Sequence, residues 1–120
     1  MTSHLSSAER PHKDILRVLH ELPDRSRDVF LSLRERASEK TNIVTIDKET
    51  LEALCGADPN YRSRIFKPIY EANLLRRVPK TVLATPKGNT TFMVNPDNFM
   101  VYDPRNSTAE ETALALWDSL

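Results

Sequence analysis

Asn60, Tyr61, Arg62, Ser63, Arg64 and, one turn further on, Lys67 crowd hydrogen-bond donors and an aromatic ring into a short stretch. Arg76, Arg77, Lys80 and Lys87 follow, with Asn89 just beyond. These side chains grip anions and read polar edges; none of them breaks bonds by itself. Arginine presents a planar fork that can hold two acceptors at once. Lysine offers a point charge, and asparagine offers a donor and an acceptor on one amide.

The chain as a whole is neutral, with 17 Lys and Arg against 17 Asp and Glu. Seven of those basic residues lie between Asn60 and Lys87, where the only acid is Glu71, so the segment carries +6 and the remainder −6. Such asymmetry in a small chain marks a localised anion-binding face. A basic stretch paired with acidic helices elsewhere in the fold gives the same count, and both readings stand at this stage.

Covalent and metal chemistry find little to work with. Cys55 precedes Gly56 at an expected helix end, with no histidine near it in sequence, and suits a buried structural role. His4, His12 and His20 are spaced by eight, not by the three or four that place two ligands on one helix face. Gly56 and Gly88 are the only glycines, which excludes a glycine-rich phosphate loop. No enzyme activity, no cofactor, no metal and no small-molecule ligand are expected. One cysteine cannot form an internal disulfide, and the polar N-terminus lacks a signal peptide's apolar core, so a cytoplasmic setting is expected. No apolar run reaches the ~18 residues that would span a bilayer.

The elements that must position the basic residues can be read from periodicity. The 120 residues suit one domain. Residues 1–10 read as a flexible tail. Residues 11–23 hold a helix on Ile15, Leu16, Val18, Leu19 and Leu22, stopped by Pro23. Asp24 is placed to cap a second helix running to Glu39, with Val29, Phe30, Leu33 and Ala37 inward and its arginines mostly facing water. Ile43–Ile46 is a short β-branched strand. Asp47 caps a helix over Lys48–Cys55, and Gly56 suits the left-handed position past its end.

Asp58-Pro59 then supplies an N-cap and first helical residue for a helix to about Asn73, with Ile65, Ile69, Ala72 and Tyr61 as inward candidates and Pro68 as an internal weak point. Tyr61 reads equally well as a core ring or as a contact. Beyond it, "LLRRVPKTVLAT" and "TTFMVN" read as two strands, with Val82, Leu83, Phe92 and Val94 apolar. They are joined by "TPKGN" as a type I turn with Lys87 at the tip. Residues 107–120 form a last amphipathic helix, capped by Ser107 with Glu110 and carrying Ala109, Ala113, Leu116, Trp117 and Leu120 on one stripe, with Leu114 at its edge.

From Asp24 the order is helix, strand, helix, tight turn, helix, strand, basic turn, strand. The fold class is therefore mainly α with a small β-hairpin (α+β): a winged helix-turn-helix over 24–100 with extra N- and C-terminal helices. In such a motif the second helix enters the major groove with its N-terminal residues at base edges. That role falls to Asn60, Tyr61, Arg62, Ser63, Arg64 and Lys67, while Arg76, Arg77, Lys80, Lys87 and Asn89 would follow the backbone along the hairpin.

The stretch "ANLLRRVPKTVLATPKGNTTFMVNPDNFM", residues 72–100, resembles the end of the winged-helix domain in RepL-type plasmid and phage replication initiators. The resemblance rests on Leu75, Arg76 and Arg77, then on Val94, Asn95 and Pro96 with Phe99 or Met100 after them. It is strong over about a quarter of the chain and loose over 24–100. It implies double-stranded DNA as partner and a role in plasmid or phage replication or its control; transcriptional regulation is the neighbouring expectation.

The terminal helices lie outside that resemblance. Ile15, Leu19 and Leu22, with Leu116, Trp117 and Leu120, could pair two copies into a homodimer or cap the domain's own core. A different class of function remains open: a winged-helix interaction module whose basic face meets an acidic protein and never DNA.

Overall fold

A computed structural model describes residues 15–96 and 107–120. Expectations for residues 1–14 and 97–106, including the tail, the first turn of the N-terminal helix and Phe99 or Met100, lie outside the described residues. The described chain is mixed α/β. It contains helices α1 (Ile15–Glu21), α2 (Asp24–Arg36), α3 (Lys48–Cys55), α4 (Pro59–Glu71) and α5 (Ser107–Ser119), with strands β1 (Ile43–Ile46), β2 (Leu75–Arg77) and β3 (Thr90–Val94). None of these helices is long and apolar enough to cross a membrane.

α1 ends at Glu21, before Pro23, and its last carbonyls need donors. Arg27 supplies them: Nε donates to the Leu19 carbonyl at 2.7 Å, and Nη2 donates to those of His20 and Leu22, each at 3.0 Å. The guanidinium also complements the negative end of the helix dipole. Arg27 was expected to face water; it is instead the half-buried clasp between α1 and α2.

α2 begins with Asp24 inside the helix and Pro23 at the cap position, and it ends at Arg36, short of the expected Glu39. Ala37 is already extended, and the chain turns through Asn42, a buried residue with φ of 60°. The turn is tied at both ends. The Ser38 amide donates to the Ile43 carbonyl at 3.0 Å, and the Val94 amide donates to the Asn42 carbonyl at 2.8 Å.

The three strands form one antiparallel sheet in the order β1-β3-β2. Thr45 faces Thr91 across the β1–β3 pair, and Arg76 faces Met93 across the β2–β3 pair. Alternation along the strands gives the sheet two buried faces. Val44, Ile46, Leu75, Phe92 and Val94 join Val29, Phe30 and Leu33 of α2, Leu51 and Cys55 of α3, and Ile65, Phe66 and Ile69 of α4 in the main core. Fully burying a side chain such as Phe30 or Ile69 contributes about 1.5–3 kcal/mol. Phe66 lies flat on Phe92, with centroids 5.3 Å apart, and so fixes the turn of α4 over the sheet. Phe66, not named among the inward candidates, is buried, while Tyr61, which read equally well as core or contact, is exposed.

α5 covers the opposite face. Ala113 and Trp117 pack with Val78 and Met93, and Ile43, Leu116 and Leu120 close around them. Leu114, expected at the edge of the helical stripe, is fully buried. At the other end, Ile15, Val18 and Leu19 of α1 pack on the main core, which Leu22 joins. Much of the apolar surface that could have paired two copies is thus used within the chain.

The hairpin departs most from expectation. β2 stops at Arg77, and one further ladder bond, from the Val78 amide to the Thr91 carbonyl at 2.9 Å, extends the pairing. Pro79 cannot donate, so the ladder ends there. The chain then coils: the Val82 and Leu83 amides both donate to the Pro79 carbonyl, at 3.0 and 3.1 Å. Val82 and Leu83 are exposed loop residues, not strand residues. The turn that follows is shifted by one. The Asn89 amide donates to the Pro86 carbonyl at 3.0 Å, placing Gly88, with φ of +87°, third in the turn. That is the position a type II turn reserves for glycine, so the expected type I turn does not form.

Candidate nucleic-acid interface

Local sequence sets the start of α4. The Asp58 carboxylate accepts from the Asn60 amide at 2.9 Å, and Pro59 occupies the first helical position. Gly56, Ala57 and Asp58 link α4 to α3. Gly56 adopts φ 82° and ψ 166°. This is not the left-handed helical cap expected from sequence but an extended positive-φ conformation essentially confined to glycine. Tyr61 lies over it: a Cβ at Gly56 would sit 3.7 Å from the tyrosine ring.

Ile65, Phe66 and Ile69 are buried, and this fixes which side of α4 faces out. Asn60, Ser63, Arg64 and Lys67 are all exposed, at the steps of three and four that make one helical stripe. Ser63 donates its hydroxyl proton to the Pro59 carbonyl at 3.0 Å, which leaves the oxygen's lone pairs outward. Lys67 is 3.9 Å from Glu71, a loose contact between two exposed chains. Arg64 has no acidic partner among the described residues within ion-pair distance.

Arg62 does not belong to this stripe. It shares the helix side of Ile65 and Ile69 and is half-buried toward α3. Its charge, with that of Arg25, acts on Cys55, though burial outweighs both and pushes the thiol above its ordinary 9.0. Tyr61 is 46% exposed beside the α3–α4 turn, and so is surface rather than core.

The hairpin cations separate in the same way. Arg76 turns its guanidinium onto α5. Nη1 donates to the Trp117 carbonyl at 2.7 Å and Nη2 to Asn73 Oδ1 at 3.1 Å, and the guanidinium carbon stands 4.2 Å from the Trp117 ring centroid. Two of its donors are committed to the scaffold. Arg77, the next residue, is exposed on the α4 side of the sheet. Its charge is felt by Tyr70, whose hydroxyl is nonetheless pushed above its ordinary 10.0 by burial. Lys80 and Lys87 are exposed along the loop, and Asn89 is half-buried at its return. Arg77, Lys80 and Asn89 also border an open cleft of about 300 Å³ between the loop and β3.

Of the eleven residues singled out from sequence, α4 thus brings Asn60, Ser63, Arg64 and Lys67 together, Arg77 is exposed on the side of the sheet that α4 covers, and Lys80 and Lys87 are exposed along the loop. Tyr70 was missed. It stacks on Phe66 at 5.8 Å with its edge exposed, and it continues the series Ser63, Lys67, Tyr70 at steps of four and three. That spacing was present in the sequence, but the apolar pattern drew attention to the other side of the helix.

Chemically, the stripe offers an amide, an unpaired guanidinium, an ammonium and a ring edge. An arginine can hold guanine bidentately, asparagine can hold adenine, and lysine suits a phosphate. No cluster of three or more His, Cys, Asp or Glu side chains among the described residues could hold a metal ion. No protein-family model, curated protein or solved structure matches the chain.

Proposed function

We propose that the chain is a winged helix-turn-helix protein that binds double-stranded DNA with the exposed stripe of α4. On this reading α3 and α4 are the helix-turn-helix, and the segment from β2 to β3 is the wing. The order helix, strand, helix, helix, strand, strand supports it, as does a three-stranded sheet with β3 at its centre. The observation that carries the proposal is the outward alignment of Asn60, Ser63, Arg64 and Lys67 on a helix whose other side is locked into the core by Ile65, Phe66 and Ile69. A helix held this way presents base-reading groups without further rearrangement, which lowers the ordering cost of binding.

The biological setting proposed is plasmid or phage replication initiation or its control, or transcriptional regulation. It rests on the resemblance carried by Leu75–Arg77 and Val94–Pro96. The test is binding to random duplex DNA across a salt series, with an Arg64→Ala/Lys67→Ala variant beside the parent protein. Phosphate contacts release counterions, so affinity should fall steeply with salt, and the variant should bind more weakly with a shallower slope. Absence of binding at low salt overturns the reading and favours an acidic protein as the partner of this face.

A further inference from the structure

The loop between β2 and β3 exposes two adjacent aliphatic side chains, Val82 at 50% and Leu83 at 38%. They are not displayed on slack chain. The Pro79 carbonyl accepts from both of their amides. Thr85 donates its hydroxyl proton to the Leu83 carbonyl at 3.2 Å and is joined to Thr91 of β3 at 2.8 Å. The bond between the two hydroxyls pins the descending limb of the loop to the central strand. The second turn, closed by Asn89 and Pro86, stiffens the rest. An apolar pair is therefore held into water by a braced loop, at a standing cost to the free protein.

The surroundings indicate what covers it. Lys80 and Lys87 flank the pair, and no acidic residue occurs from Ala72 to Pro96. The occupant must be anionic at its rim and apolar within. Arg77, at the root of the loop, is paired with Phe92 across the β2–β3 ladder, and Phe92 stacks on Phe66 of α4, so the loop springs from the part of the sheet that α4 covers. A DNA minor groove fits both demands, with phosphates along its edges and stacked bases between them.

We propose that the loop is a DNA wedge. Val82 and Leu83 enter the minor groove and unstack a single base step, Lys80 and Lys87 hold the flanking phosphates, and the duplex kinks away from the protein. Proteins that insert aliphatic side chains in this way bend DNA toward the major groove. Flexible pyrimidine–purine steps are the preferred point of entry, so the loop adds sequence preference without hydrogen-bonding a base. This inference rests on the DNA-binding reading above and adds a bend to it.

The experiment is end-to-end energy transfer in a doubly labelled duplex of about 25 base pairs carrying a central TA step. The parent protein, Val82→Ser/Leu83→Ser and Val82→Ile/Leu83→Met are compared, with circular dichroism to show that each is folded. The parent and the Ile/Met variant should bend the duplex by about 20–90°. The Ser/Ser variant should bind with an unchanged salt slope and leave the duplex straight, because its phosphate contacts remain. Binding by the parent without a bend, or equal bending by the Ser/Ser variant, overturns the wedge and leaves DNA binding standing. Absence of binding to any duplex at low salt overturns both. Phosphatidylserine-containing vesicles are the last arm: binding to them that depends on Val82 and Leu83, with DNA left straight, overturns the wedge by assigning the loop to a membrane surface.

Discussion

Ser26 Oγ donates to the Ile65 carbonyl at 2.7 Å, a buried bond between α2 and α4. It lies one turn ahead of Pro68, which cannot donate an amide proton back along α4. Despite that proline, α4 runs on to Glu71. Ser26 holds α4 against α2 from the buried side, so it helps set the pose of the exposed stripe without belonging to it.

Ser26→Ala should therefore destabilise the fold by about 1–2 kcal/mol, the usual range when a buried carbonyl loses a donor. Urea unfolding is the check. A lower midpoint with an unchanged slope is expected, since the same surface is exposed on unfolding. No change in the midpoint would mean that the Ile65 carbonyl is fully satisfied within its own helix.

Arg76 and Trp117 give the second prediction. The guanidinium stacks on the indole and bonds the carbonyl of the same residue, which anchors α5 to the sheet. A double-mutant cycle over Arg76→Gln and Trp117→Phe should return a coupling of about 1–2 kcal/mol. Trp117 is the only tryptophan, so its fluorescence reports the contact directly and should shift in Arg76→Gln. If DNA binding is measured on the same variant, the affinity should hold, because the Arg76 guanidinium is held on Trp117 and Asn73. A large loss of affinity with unchanged fluorescence would return Arg76 to the binding face.

The third prediction concerns acid. Asp47 caps α3 by accepting from the Thr50 amide at 2.7 Å. Its hydrogen bonds to Thr50, with a smaller contribution from Arg36, hold its carboxyl below the ordinary 3.8. A carboxylate with a depressed folded-state pKa stabilises the fold above its unfolded value, and that stability is lost as pH falls through the folded one. The contribution should be complete at neutral pH and fade below about pH 4. In Asp47→Asn, which keeps a capping oxygen, stability should fall less steeply across that range; an identical acid profile would remove Asp47 from the account.

These residues also show what the sequence could and could not reveal. The caps at Asp47 and Asp58 and the proline at the start of α4 were legible because each partner lies within a few residues. Ser26 and Arg76 were not, because their partners are 39 and 41 positions away and serine and arginine read as surface residues until the fold closes. Arg27, whose carbonyl partners lie 5, 7 and 8 positions away, was missed for a different reason: helix periodicity gave it to solvent, while the end of α1 required a donor. Val82 and Leu83 misled through composition. Strand propensity is a packing preference, and Pro79 had already ended the ladder that would have packed them. On α4, residue types named the candidate face and helix geometry already set Arg62 and Arg64 apart, but only the burial of Ile65, Phe66 and Ile69 showed which of the two faces out.

That divergence makes the sharpest prediction. At 3.6 residues per turn, positions two apart are separated by about 200° around a helix, so Arg62 and Arg64 cannot both read the same groove. Arg64→Ala should lower affinity for a preferred site by about 1–3 kcal/mol and relax base preference at one position. Arg62→Ala should act mainly on stability and on Cys55, whose thiol loses a nearby positive charge and should become still harder to ionise. Quantitative binding to a site selected from random duplexes, paired with the pH dependence of Cys55 alkylation, separates the two. Equal losses of affinity in both variants would mean that α4 rolls on binding and that the stripe seen in the free protein is not the one that meets DNA.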